Sequence, residues 1–255
     1  MTTPEVTSAG IGLVTLSGLI AAGLAIVHLL AKNLLFLQVV PRSRWLSFGS
    51  GVSVAYVFVH ILPELSEQQE SIQATLNREL LFLENHVYLI ALLGVAIFYG
   101  LERLTKQSRQ QNQAKGQGDV AERHVFGIHM ASFAVYNALI GYLLLHRETP
   151  NLASLFTFAV AMALHFVVND YGLRQDHKHN YDQIGRWVLA AAIMVGWAIG
   201  TSTEIHRAAI AVLFAFLAGG VILNVLKEEL PEERKSHFGS FAIGAAGYSL
   251  LLLAI

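Results

Sequence analysis

The run Ala9–Ala31, AGIGLVTLSGLIAAGLAIVHLLA, decides the fold class. It holds no Asp, Glu, Lys or Arg, and it covers a hydrocarbon core of about 30 Å, for which roughly 20 apolar residues are needed. Outward from it, charge-poor runs recur near 45–64, 86–102, 124–146, 151–173, 185–203, 207–227 and 236–255. The runs are continuous, whereas the strands of a membrane barrel would alternate apolar and polar residues. They predict an all-α integral membrane protein of eight transmembrane helices. The run 9–31 lacks the basic leader and short apolar segment of a cleaved signal peptide and reads as a retained first span.

Composition agrees. Of the residues, 54% are hydrophobic and only 14% charged, against about 25% charged in an ordinary soluble domain, and the mean hydropathy is +0.51. A net charge of −1 gives no sign of a nucleic-acid partner, and the absence of cysteine removes disulfides, thiolate metal ligands and a cysteine nucleophile.

Lys and Arg orient the spans. Loop 1–2 carries Lys32, Arg42 and Arg44; loop 3–4 carries Arg103, Lys106, Arg109, Lys115 and Arg123. Loop 5–6 carries Arg174, Lys178 and Arg186, and loop 7–8 carries Lys227, Arg234 and Lys235. The other side holds only Arg78, Arg147 and Arg207. The positive-inside rule then puts both termini on the non-cytoplasmic side of the plasma (or inner) membrane. Loop 105–122, TKQSRQQNQAKGQGDVAE, is expected to be a flexible cytoplasmic linker, and 65–80 a short external helix. Glycines within the spans (Gly94, Gly141, Gly219, Gly220, Gly244) suit close helix approach.

Polar residues inside spans cost roughly 2.5–3.5 kcal/mol each when ionisable, so they mark candidate sites. His60-Ile-Leu-Pro63-Glu64 puts a His and a Glu on one face at the end of the second span, as an entrance pair or as interfacial groups. Asn137 lies near the middle of the fourth span, as a ligand or as a packing amide. In the fifth span Met162, His165 and Asn169 form one stripe, and Asp170 follows toward the cytoplasmic end. In the seventh, Glu228-x-x-Pro231-Glu232 repeats the spacing of His60-x-x-Pro63-Glu64 on a span of opposite direction, the trace of an inverted repeat. The loop Asp176–Asp182 clusters His177 and His179 with two Asp, as a metal site or as a solvated turn.

Together these residues resemble the ZIP (Zrt/Irt-like) family of divalent-metal transporters along essentially the whole chain. The likeness lies in eight spans with both ends outside, the long loop between spans three and four, and four motifs. His60-Ile-Leu-Pro63-Glu64 is similar to the family's second-span ending, and Tyr136-Asn137-Ala-Leu-Ile140-Gly141 to its fourth-span His-Asn-x-x-Asp/Glu-Gly. His165 to Asp170 falls at the fifth-span His-Glu-x-Pro-Glu-Gly, and Glu228 to Glu232 at the seventh-span Glu-x-x-Pro-Glu. The sequence departs from the pattern at Tyr136, Ile140, Phe166, Val168, Asn169 and Asp170, so every carboxylate the pattern puts at mid-membrane is replaced.

The resemblance implies a ZIP-like bundle with an inverted-repeat (3+2+3) arrangement that moves zinc, iron or manganese toward the cytoplasm by rocking one helix group against another. In that reading His60 and Glu64 attract the ion. Asn137, His165 and Asn169 or Asp170 hold it, with Tyr136 and Met162 as weaker donors, and Glu228 receives it. The protein is then no enzyme and needs no cofactor. Its partners are the lipid bilayer, the divalent metal ion as cargo and, in a homodimer, a second copy of the chain. Two alternatives stay open: a ZIP-scaffold protein with another cargo or a regulatory role, and an intramembrane zinc hydrolase built from His129, Ser132 and His165.

Overall fold

The computed structural model describes residues 4–33, 44–75, 86–147, 151–205, 207–229 and 237–254. Among them all regular structure is helical: α1 (Pro4–Leu30), α2 (Arg44–Tyr56), α3 (Leu62–Thr75), α4 (His86–Ala114), α5 (Arg123–Leu143), α6 (Leu152–His177), α7 (Arg186–Ser202), α8 (Arg207–Asn224) and α9 (Phe238–Leu253). Seven segments are long and apolar enough to cross a membrane, from Gly12–Leu30 to Ala209–Lys227, and Phe238–Leu253 is a shorter apolar helix. This is a multi-pass membrane protein by length and composition of its helices.

Three helices are joined to their neighbours by wide π turns. Val57–Ile61 links α2 to α3, Tyr181–Gly185 leads into α7, and Val225–Glu229 continues α8. The first has a local cause. Pro63 has no N–H to give and its ring would meet the carbonyl four residues back. The chain absorbs this with one widened turn, in which the Leu62 N–H reaches the Val57 carbonyl. The 225–229 turn stands in the same register to Pro231. The two segments that share the x-x-Pro-Glu spacing therefore share a backbone irregularity as well, although Pro231 and Glu232 lie outside the described residues.

Two expectations change. Residues 105–114 are the continuation of α4, because Gln, Lys and Arg are good helix formers whatever their polarity. The helix stops at Gly116, φ +70°, where Gly116 N donates to Gln113 O and Gln117 N to Asn112 O, a Schellman cap that needs a residue without Cβ in the left-handed region. The segment after it folds back on α4. Arg109 makes a two-pronged bond to Asp119, Asn112 Nδ2 donates to Val120 O, and Ser108 Oγ accepts from Glu122 N. Nor is 65–80 a separate helix, since its described part to Thr75 runs on from the second span as α3; residues 76–80 lie outside the described residues.

The chain divides into two compact units. Unit 1 comprises Met1–Asn33 and Phe126–Glu204, so α1, α5, α6 and α7; unit 2 comprises Leu34–Val125 and Ile205–Ile255, so α2, α3, α4, α8 and α9. In unit 1, α1 packs on α6 and α7, and Trp197 Nε1 donates to Ser17 Oγ at 3.1 Å. In unit 2, α2 packs along α9 and α4 along α8. Glycine sets the closest approaches in both. A methyl group at Gly196 would strike the Ala138 carbonyl and one at Gly141 the Ile193 carbonyl; Gly94 and Gly219 stand in the same reciprocal relation across α4 and α8, as do Gly51 and Gly244 across α2 and α9. Without a hydrophobic drive between helices in lipid, this close backbone packing supplies the contact energy.

Candidate functional site

Unit 1 assembles a buried polar cluster from three helices. On α5, Asn137 Nδ2 donates to the Phe133 carbonyl one turn back at 2.8 Å. That bond takes one of the amide's two N–H donors and turns Oδ1 toward His28 of α1, whose Nε2 it meets at 2.8 Å. The other nitrogen of the same ring, Nδ1, lies 2.9 Å from both carboxylate oxygens of Asp170 on α6. His28, Asn137 and Asp170 are 0, 0 and 1% exposed, so these contacts are closed to bulk solvent.

The geometry fixes the proton count. An amide oxygen accepts only, so Nε2 of His28 carries a hydrogen. A second proton lies between Nδ1 and the carboxylate, since two bare acceptors would repel at that distance. Wherever it sits, the His28–Asp170 pair carries no net charge, the form in which such groups are tolerated in a low-dielectric interior. Phe166 packs at a tilt against the His28 ring, centroids 4.4 Å apart, and the buried Tyr181 lies within electrostatic reach of Asp170.

Two further histidine contacts flank this cluster in the same unit. His165 Nε2 is 2.9 Å from the Tyr136 hydroxyl, and His129 Nδ1 is 2.8 Å from His177 Nε2, with all three rings of histidine buried. Phe133 stands against both His129 and Tyr136, at 5.1 and 6.0 Å between centroids.

Against the expectations from sequence, the structure brings Asn137 and Asp170 together through an intervening imidazole, and it turns Asp170 inward. His165 bonds to Tyr136 and not to Asn137. Met162, His165 and Asn169 are all buried, as one stripe facing the interior requires. In the 176–182 segment the turn at Lys178 and His179 is exposed while Asp176 and His177 are buried. His177 is buried against His129 while His179 is exposed, and Asp182 accepts from Nε and Nη2 of Arg174 at 2.8 and 3.0 Å. His60 and Glu64 do pair in unit 2, Nε2 to Oε2 at 3.3 Å, at 36 and 15% exposure. Glu228 falls in the Val225–Glu229 turn, with its side chain outside the described residues. Of the trio His129, Ser132 and His165, the first turns to His177, the second donates to the Ile128 carbonyl and the third meets Tyr136.

His28 is the residue that sequence reasoning misses. The run 9–31 holds none of the four fully charged residue types and reads as a lipid-covered span, yet a histidine within such a run is itself the signal. Among the described residues no three His, Asp or Glu side chains converge in the manner of a metal site; the central cluster holds one carboxylate, one amide oxygen and one imidazole whose two nitrogens are both engaged. Comparison of the chain with protein-family models, curated proteins and solved structures finds no match.

Proposed function

We propose that the chain is a ZIP-like membrane transporter that moves a divalent transition-metal ion, zinc, iron or manganese, toward the cytoplasm. It does so through eight spans, with α9 as the last, and with both termini on the non-cytoplasmic side of the plasma (or inner) membrane. The observation that carries this reading is the His28–Asn137–Asp170 cluster. A carboxylate and an amide oxygen, buried inside a four-span unit, come from the fourth and fifth spans, the pair to which the family resemblance assigns the cargo. The shared π-turn register before Pro63 and Pro231 supports an inverted repeat. The division into two four-span units agrees with a mechanism in which one helix group rocks against another.

In this reading His60 and Glu64 attract the ion, Asn137 and Asp170 hold it with His165 and Asn169 nearby, and Glu228 receives it. No nucleotide-binding loop is needed, because the ion runs down its own gradient. Purified protein in proteoliposomes is expected to show saturable uptake of at least one of zinc, ferrous iron or manganese, reduced by His165→Ala. Tight vesicles that take up none of the three would sink the proposal.

One observation favours a second reading, a scaffold with another cargo or a regulatory role. Phe166, where the family pattern has a glutamate, packs its ring on His28, and the cluster already carries no net charge. Reinstating carboxylates with Phe166→Glu and Asn169→Glu should create metal uptake if the pathway is intact and merely under-charged.

A further inference from the structure

Arg186, the first residue of α7, is fixed by two backbone carbonyls. Its Nε donates to Asp182 O at 2.7 Å, and its Nη1 donates to Leu29 O, near the end of α1, at 2.8 Å. The acid nearest to it in sequence is already engaged, because the Asp182 carboxylate accepts both prongs of Arg174. Arg109 closes the same kind of two-pronged pair with Asp119. Arg186 differs. Among the described residues no carboxylate lies in ion-pair range of it, and no group accepts from its Nη2. The guanidinium is half-buried, held in one orientation, and has an outer edge with charge that the protein does not offset.

Its surroundings are those of a lipid head group. Leu29 lies at the end of the span Gly12–Leu30, and Arg186 near the start of the span Tyr181–Ser202. Trp187 is 54% exposed, as is Ile184, and the guanidinium carbon is 5.2 Å from the Trp187 ring centroid, within cation–π range. An exposed tryptophan at the end of a span belongs to the membrane–water interface. The oxygens of a phosphate diester match the fork of a guanidinium. A head group that carries its own ammonium brings a second cation beside Arg186, whereas one charged only at its phosphate does not. We infer that Arg186 and Trp187 hold the phosphate of an anionic phospholipid at the α1–α7 edge of unit 1. The lipid supplies the counter-charge that no carboxylate gives, and it ties the end of α1 to the start of α7 at head-group depth. Nothing in this depends on the cargo.

The test is quenching of tryptophan fluorescence in the full chain, reconstituted in bilayers of phosphatidylcholine and phosphatidylglycerol in varied proportion. One lipid or the other carries acyl chains brominated near the head group. The chain has three tryptophans, so the difference between each protein and its W187F counterpart isolates Trp187. Brominated phosphatidylglycerol is expected to quench Trp187 with an apparent affinity about fivefold above that of brominated phosphatidylcholine, the scale of one basic residue near an anionic lipid surface. R186Q should bring the two lipids to parity, and R109Q in unit 2 should leave the preference intact. If R186Q does not fold, R186K decides, since it keeps the charge without the fork and should lose most of the preference. Equal quenching by the two lipids in the wild type overturns the inference. So does a preference that survives in R186Q, or in R186K where that variant alone folds, because a general surface charge then explains it. A wild-type preference that vanishes when inorganic phosphate is added overturns it as well, in favour of a free anion from solution.

Discussion

The two units spend their interiors differently. Among the described residues every buried histidine and carboxylate belongs to unit 1: His28, His129, His165, Asp170, Asp176 and His177. The buried polar groups of unit 2 are neutral and mostly small, with Ser47, Ser50, Ser53, Gln69, Thr105, Ser108 and Asn112 among them. Its charged contacts, such as Glu102 with Lys227 at 2.6 Å and His60 with Glu64, remain partly exposed. Both units use glycine to bring helices together. The difference lies in what the packing encloses. Ionisable groups in a span are costly wherever they occur, and among the described residues the buried ones are concentrated in one unit.

Removing one partner from the central pair should have the largest effect. Asp170→Ala leaves a buried imidazole with its Nδ1 facing no acceptor and is expected to cost about 3–5 kcal/mol. His28→Ala should be nearly as severe, and the double variant less severe than the sum of the two; thermal melts in detergent or nanodiscs measure all three. Equal and additive losses would mean that the pair does not act as a unit.

Glycine substitutions should cost somewhat less and should not distinguish the units. Gly196→Val and Gly219→Val each drive a side chain into a facing carbonyl, of Ala138 and Ala91 respectively, and each is expected to destabilise by about 1–3 kcal/mol through overpacking. A loss in one unit alone would show that the two are not held by the same device.

The His60–Glu64 pair of unit 2 gives the sharpest contrast. His60→Ala removes a half-exposed contact and should change stability by about 0–1 kcal/mol, while lowering the initial rate of uptake if the pair attracts the ion. Arg109→Ala should have a similarly small effect, since its pair with Asp119 is also partly exposed; about 0.2–1 kcal/mol is expected, with hydrogen exchange rising in 112–122 and nowhere in unit 1.

How far the sequence is legible varies with the type of signal. The membrane-spanning character is readable because charge exclusion from lipid is a strong and continuous constraint; seven of the runs hold helices long and apolar enough to cross, and the last is the shorter helix Phe238–Leu253. The four singled-out positions Asn137, His165, Asn169 and Asp170 are all buried for the same reason. Their partners are not readable. Nothing in the spacing says that Asp170 meets a ring from α1, because contacts between distant helices leave no local period. His28 escapes notice since a neutral histidine does not interrupt a charge-free run. Residues 105–114 mislead in the opposite way, since polar composition suggests a linker while the same residues are good helix formers. At Pro63 the missing donor is evident in the sequence, but the wide turn that accommodates it is a property of the whole second span.

The most direct test of the cargo site is an anomalous difference map at the zinc edge from crystals of the full chain soaked with zinc. A peak is expected in unit 1, about 2.0–2.2 Å from an oxygen of Asp170 or of Asn137. A peak confined to another place, such as His129 and His177, or none in unit 1 with His28 still bonded to Asp170, would contradict the account.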